Sequence, residues 1–424
     1  MATGPLPGCA LALSAARRRF GHSPPRGRLL YSIDKDYISI MVTLLLAVIY
    51  AAFISLGLPD PLLGAAWPIM HGELGVPLSF SGIIFTIISA LTIVSSLASD
   101  RLTRRFGPGR VTAFSVALTC VALFGFSCCH HYGALLLWAV PYGLGAGGVD
   151  AALNNYVALH YASRHMSWLH CMWGVGTAIG PAILARALSL GRGWQGGYRT
   201  IGWLQLGLTA ILLLSLPLWR AAPAAESGDS RPMPLGQVAA LPGVKAAVAC
   251  FFCYCALEQT AGLWASSYLV ACRGLEAVTA ARWASLFYLG ITGGRAVNGF
   301  LTLRLKDTAL IRLGSAMMAA GLGLLLLPLS RWAAFAGLIL LGLGCAPVYP
   351  SLIHAAPIRF GAERSQAVIG LQMATAYLGT TLMPPLFGLL AGRTTLALFP
   401  WYMAALFAAM ALLHRSLVQK TGPV

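Results

Sequence analysis

The chain has 424 residues, of which 58% are hydrophobic and 10% charged, with a formal net charge of +17. A water-facing protein is nearer a quarter charged, so a soluble globular protein is excluded and an integral membrane protein is indicated. The basic excess would point to nucleic acid in a soluble protein. Here it lies between apolar blocks, and no nucleic-acid partner is expected.

Residues 1–36 read as a flexible basic N-terminal arm. The apolar run at 10–16 precedes Arg17, Arg18 and Arg19, the reverse of a secretory signal, and Pro24, Pro25 and Gly27 follow. Beyond it, a bilayer core takes roughly 20 apolar residues per helix. Apolar blocks of that size fall at 38–66, 79–99, 109–128, 132–159, 167–189 and 199–219. After a polar stretch carrying Glu226, Asp229 and Arg231, six more follow at 244–271, 279–301, 309–328, 332–354, 364–391 and 395–414. The pattern predicts an all-α membrane protein with twelve transmembrane helices in two six-helix pseudo-repeats. The expected units are an N-terminal half at 37–219, a cytoplasmic central loop at 220–243, a C-terminal half at 244–415 and a cytoplasmic tail at 416–424.

With the N-terminus inside, 21 of the 29 lysines and arginines fall on the inner side and 6 on the outer. The positive-inside rule therefore places both termini in the cytoplasm of a cell (plasma or inner) membrane protein. Nine of the ten cysteines sit in apolar blocks. Cys250, Cys253 and Cys255 lack zinc-ligand spacing, so they are expected to pack as small apolar residues, with no metal site.

The halves share a feature. The first apolar block has Asp60-Pro-Leu-Leu-Gly64 with Trp67 beyond, and the seventh has Glu258-Gln-Thr-Ala-Gly262 with Trp264 beyond. Gly143-Leu-Gly145-Ala-Gly147 in the fourth block pairs with Gly342-Leu-Gly344-Cys-Ala346 in the tenth. Such internal symmetry marks two related bundles with a site between them.

Ionisable groups at the bilayer centre cost about 2.5–3.5 kcal/mol on insertion scales, so each one asks for a role. Asp60, Asp150 and Glu258 lie within apolar blocks, as do all three asparagines, Asn154, Asn155 and Asn298. Asp150 and Asn154, four apart, share a helix face with Gly143 and Gly147. They either line a cavity that binds a polar solute or bond one helix to another. Asp60, between Pro59 and Pro61, is either a working carboxylate at a broken helix or a helix end at the interface. Glu258 has Gln259 beside it. Arg295, three residues before Asn298, is either a counter-charge to an acid or a snorkelling cation. His170, Trp173 and Thr177 form a stripe that suits solute contact or plain packing.

No G-x-S-x-G, H-E-x-x-H or Walker loop is present. Neither enzymatic activity nor an ATP-driven pump is expected, and no cofactor is implied.

Twelve spans in two halves, with a polar loop between, resemble the major facilitator superfamily over roughly 37–415. The segment from Ser96 to Gly107, containing Asp100, Arg101, Arg104 and Arg105, is similar to its G-x-x-x-D-R-x-G-R-R signature, with Ser96 and Thr103 replacing two glycines. By that resemblance Asp100, Arg101 and Arg104 would latch the cytoplasmic gate. Asp150-Ala-Ala-Leu-Asn154-Asn155-Tyr156 resembles the acid-x-A-A-N-P-Y stretch of the fucose–proton symporters. Tyr254-Cys-Ala-Leu-Glu258 with Gly262, Trp264 and Tyr268 resembles the seventh helix of related members. Gly176-Thr-Ala-Ile-Gly180-Pro181 partly matches a fifth-helix signature of drug–proton antiporters.

These readings lead to a secondary active transporter working by alternating access, symporting a small polar solute, with a sugar the favoured class, together with protons. Asp150, then Asp60 or Glu258, would carry the proton. Asn154, Asn155, His170, Trp173, Gln259, Arg295 and Gln372 would touch the solute. Its partners would be the solute, protons and the bilayer, and a monomer is expected. Export of hydrophobic compounds against protons is the nearer rival, and a membrane receptor or scaffold that moves nothing is the other.

Overall fold

The computed structural model describes residues 25–77, 80–221, 233–327 and 330–424. Among these residues the regular structure is all helical. That follows from the composition: in hydrocarbon a backbone must satisfy its own N–H and C=O groups, which a helix does within one segment.

In chain order the helices are α1 (Pro25–Gly57), α2 (Leu62–Glu73), α3 (Ser81–Phe106), α4 (Pro108–Ser127), α5 (Tyr132–His160), α6 (Ser163–Ser189), α7 (Gly193–Leu214) and α8 (Leu216–Ala221). Next come α9 (Leu235–Ala240), α10 (Val244–Arg273), α11 (Ala277–Leu301), α12 (Asp307–Leu326), α13 (Arg331–Cys345), α14 (Val348–His354), α15 (Ala356–Phe360), α16 (Ala362–Arg393) and α17 (Phe399–Thr421). Several spans are composite. Pro59 and Pro61 divide the first into α1 and α2, and Pro347 separates α13 from α14. Among the described residues, ten segments are long and apolar enough to cross a membrane. The other two of the twelve, α7 with 22 residues and α11 with 25, are as long but carry Arg199 and Gln205, and Arg295 and Asn298.

Two expected boundaries move. Residues 25–36, read as flexible arm, already belong to α1, while 1–24 lie outside the described residues. The tail expected from 416 continues α17 through Thr421, and the Val424 N–H and C=O both bond to Thr308. Of the central loop, 222–232 lies outside the described residues.

The glycine-rich stretches bring helices into close contact. A Cβ at Gly147 would meet the Thr92 carbonyl, so glycine there lets α5 lie directly on α3. The hydroxyls of Thr92, Ser95 and Ser96 then donate across this seam to the Gly143, Leu144 and Gly147 carbonyls. Gly176 approaches the Ile54 carbonyl in the same way, seating α6 on α1. Serine and threonine beside small residues hold helices together where lipid supplies no hydrophobic drive.

The first and second sets of spans meet along two seams. At one, α6 faces α11, with Asn298 Nδ2 donating to Ser167 Oγ at 2.7 Å and Trp168 Nε1 to the Ala296 carbonyl at 3.2 Å. At the other, α16 faces α3 and α5 through Ser365, Gln366 and Gly370. Both seams run to the terminal face, the end of the molecule that carries the α3–α4, α11–α12 and α15–α16 loops and the C-terminus.

Candidate functional site

Between the two sets of spans lies a cavity of about 300 Å³. Helix periodicity delivers its lining. Tyr142, Ala146 and Asp150 recur at four-residue intervals on α5, and Cys255, Glu258 and Gln259 occupy one face of α10. His170 and Trp173 come from α6, Arg295 from α11, Tyr349 from α14, and Tyr377 and Thr380 from α16. Asp60 enters from the α1–α2 break.

The three carboxylates differ in their surroundings. Asp150 is 5% exposed. Asn154 Nδ2 donates to its Oδ1 at 2.8 Å, and the Tyr377 hydroxyl, from the other set of spans, donates to its Oδ2 at 3.0 Å. Both oxygens therefore have a side-chain partner. Because the Asn154 amide nitrogen faces Asp150, its oxygen is the acceptor for His170 Nε2 at 3.0 Å, and that ring nitrogen carries the hydrogen. Edge contacts from Phe53 and Tyr349 complete the packing of His170.

Asp60 is exposed to the cavity. Trp173 Nε1 donates to its Oδ2 at 2.9 Å, and Tyr142 approaches Oδ1 at 3.4 Å. Glu258 pairs with Arg295 Nη2 at 3.5 Å. The Arg295 guanidinium also lies 6.0 Å from the Trp173 ring centre and 5.9 Å from that of Tyr349. Its buried Nε has no hydrogen-bond partner among the described residues.

Toward the terminal face the cavity is sealed. Ser365 Oγ donates to Asn155 Oδ1 at 2.5 Å, and Gln366 Nε2 donates to Ser99 Oγ and the Ala151 carbonyl, each at 3.2 Å. Nearer the surface, Arg104 pairs with Asp100 at 2.9 Å and also donates to the Glu363 carbonyl. Arg101 is exposed.

Of the residues singled out from the sequence, Asp60, Asp150, Glu258, His170, Trp173, Gln259 and Arg295 share this one cavity. Asn154, Asn155 and Gln372 do not line it. Asn154 stands behind Asp150, and Asn155 belongs to the seal. Gln372 is buried within α16 with Oε1 unpartnered. Thr177 turns back to the Gly174 carbonyl. The glycines on the face of Asp150 meet α3 rather than the cavity.

Sequence reading missed the tyrosines. Tyr142, Tyr349 and Tyr377 all line the cavity and two of them bond to its acids. The eight-residue spacing from Tyr142 to Asp150, two four-residue steps on one helix face, was the available signal for the first. Nothing local marked Tyr377, whose partner is 227 positions away.

Residues 42–384 match the family model of the Major Facilitator Superfamily. The chain belongs to that superfamily and is a multi-pass membrane transporter. It is 25% identical to the uncharacterized transporter y4wD of Sinorhizobium fredii, over 81% of this chain and 90% of that protein. It is also 25% identical to the probable nitrate/nitrite antiporter NarK1 of Thermus thermophilus, over 83% of this chain and 87% of that one. Among solved structures, it resembles the transporter FucP in its outward conformation, with a TM-score of 0.71 and 14% identity, covering 87% of this chain and 97% of FucP. An asparagine-to-alanine variant of the E. coli fucose:proton symporter FucP gives a TM-score of 0.70 at 15% identity, covering 88% and 98%. At such identities the likeness speaks for the fold.

Proposed function

We propose that this transporter symports a small, uncharged, hydroxyl-bearing solute such as a sugar together with protons, by alternating access between its two sets of spans. The observation that carries the reading is the meeting of Asp60, Asp150 and Glu258 in one cavity, with Asp150 bonded across it to Tyr377. An acid in a cavity between two sets of spans that open alternately can load a proton on one side of the membrane and discharge it on the other. Asp150 is the proton carrier, and Asp60, reachable from the open side, is the second acid.

The lining supports the solute class. Hydroxyl groups of a solute would find acceptors in Asp60 and Gln259, with Trp173 and Tyr349 as flat walls. Three carboxylates against one guanidinium oppose a small anion, so the nitrate or nitrite named for the Thermus relative fits this cavity poorly. A volume of about 300 Å³ is at the small end for ligand pockets, which favours a compact solute over bulky hydrophobic compounds. The lysine and arginine bias assigns the terminal face to the cytoplasm, so the cavity faces outward and both termini lie inside.

The test is proteoliposomes holding a pH-sensitive dye, challenged with sugars, nitrate and cationic drugs, with Asp150→Asn alongside. Sugar-triggered acidification of the lumen, lost in Asp150→Asn, is the expected result. Proton movement triggered only by drugs or nitrate, or no proton movement with any solute, overturns the reading.

A further inference from the structure

We propose that Tyr377 is the positioning residue through which the charge on Asp150 holds the terminal face closed. The proposal rests on the proton-coupled reading above and adds to it the contact that converts protonation into movement.

Along α16, the residues from Glu363 to Gly370 seal the terminal side against α3 and α5, and Ala376, Tyr377 and Thr380 line the cavity. Tyr377 is thus the contact at the cavity floor, immediately inside the seal. Its bond to Asp150 joins α16 to α5 and so spans the two bodies that must part for solute to leave on the terminal side.

A hydrogen bond to an ionised acceptor is markedly stronger than one between neutral groups. While Asp150 is charged, moving α16 away strips one of the two side-chain donors from a buried carboxylate, leaving only Asn154. With a proton on Asp150, the same movement breaks a neutral contact. The empty, unprotonated transporter is therefore held closed at the terminal face, and loading a proton loosens it. No covalent step is involved; the proton stays on Asp150 until the terminal side opens.

The other ionisable groups around Asp150 come from several elements. Asp60 at the α1–α2 break, Cys255 on α10 and Tyr349 on α14 line the same cavity. Tyr142 shares its helix, His170 on α6 stands behind Asn154, and Glu258 and Arg295 line the same cavity. Among these, Tyr377 is the one that hydrogen-bonds the carboxylate from the second set of spans.

The experiment compares wild type, Tyr377→Phe, Tyr377→His and Asp150→Asn in two assays across pH 6 to 8. Solute counterflow in proteoliposomes reports the exchange rate. Spin labels at the exposed Arg105 and Arg364 report the distance across the terminal face in detergent, without requiring transport. In wild type, terminal-face opening is expected to rise about tenfold as pH falls, the size of effect that one charge-assisted hydrogen bond supports. Tyr377→Phe, which keeps the ring and removes the donor, is expected to flatten that dependence to below about twofold. Tyr377→His, which restores a donor, is expected to recover part of it.

A Tyr377→Phe protein with the wild-type pH dependence, beside an Asp150→Asn protein that has lost it, overturns the proposal and leaves proton coupling intact. An Asp150→Asn protein that keeps the wild-type dependence overturns the proton-coupled reading itself. If Tyr377→Phe does not fold, Tyr377→Met, which also lacks a donor, decides on the same labels: a flattened pH dependence upholds the role, and a wild-type one overturns it.

Discussion

Ser163 on α6 donates a 2.6 Å hydrogen bond to Asp307 on α12, tying the first set of spans to the second at the terminal face. The other oxygen of that buried carboxylate lies 2.6 Å from His354 Nδ1. Under the alternating access proposed above, this bond breaks when the terminal side opens, and its strength would tune the balance between the two states.

Ser163→Ala is therefore expected to shift the population toward the state open at the terminal face by about 3- to 10-fold, since a hydrogen bond to a charged group contributes about 1.5–3 kcal/mol and part is regained from water. The label distance between Arg105 and Arg364 would check this. An unchanged distance distribution would remove Ser163 from the gate.

Trp173→Phe keeps an aromatic wall and deletes the indole donor to Asp60. Solute KM measured by counterflow is expected to rise by about tenfold with little change in maximal rate, because the lost contact orients the carboxylate proposed above as a solute acceptor. A fall in maximal rate at constant KM would instead place Trp173 in the conformational step.

Glu258 and Arg295 are expected to behave as a unit. Removing one member of a buried pair leaves an uncompensated charge, whereas removing both does not. Arg295→Gln alone should lower uptake more than the Glu258→Gln, Arg295→Gln double variant. Additive losses in this cycle would mean that the 3.5 Å pair carries no coupling.

Gly147→Val tests the α3–α5 seam. The added atoms would press on the Thr92 carbonyl, and overpacking of this kind costs about 1–3 kcal/mol or more. A lower Tm in detergent and reduced yield are expected, whereas Gly133→Ala, where the added Cβ meets nothing within 4 Å, should be neutral.

Much of the candidate site is legible in the amino-acid sequence. Asp60, Asp150, Glu258 and Arg295 stand out because charge inside an apolar block is costly, and that cost is a property of composition alone. Asn154 and Asn155 stand out for the same reason but serve differently, one orienting Asp150 and the other sealing the floor. An amide signals that a polar partner exists without saying whether it is a solute, a carboxylate or a neighbouring helix.

The Gly176–Pro181 stretch teaches the same point. It partly matches a signature of drug–proton antiporters, and in the structure it is where α6 rests on the α1 backbone, a contact that the residues alone do not reveal.

The amino-acid sequence by itself determined the class of the molecule. Long apolar blocks must become helices in lipid, and their number, order and basic flanks follow from counting. Tertiary structure alone decided which polar groups meet. Tyr377 reaches Asp150 across 227 positions, Trp173 reaches Asp60 across 113, and Ser163 reaches Asp307 across 144. Periodicity places residues on a helix face, but which face turns toward which neighbour is set by packing. Here that packing runs through seams such as the glycine–hydroxyl contact of α3 with α5, and the cavity lies where the two sets of spans leave space between them.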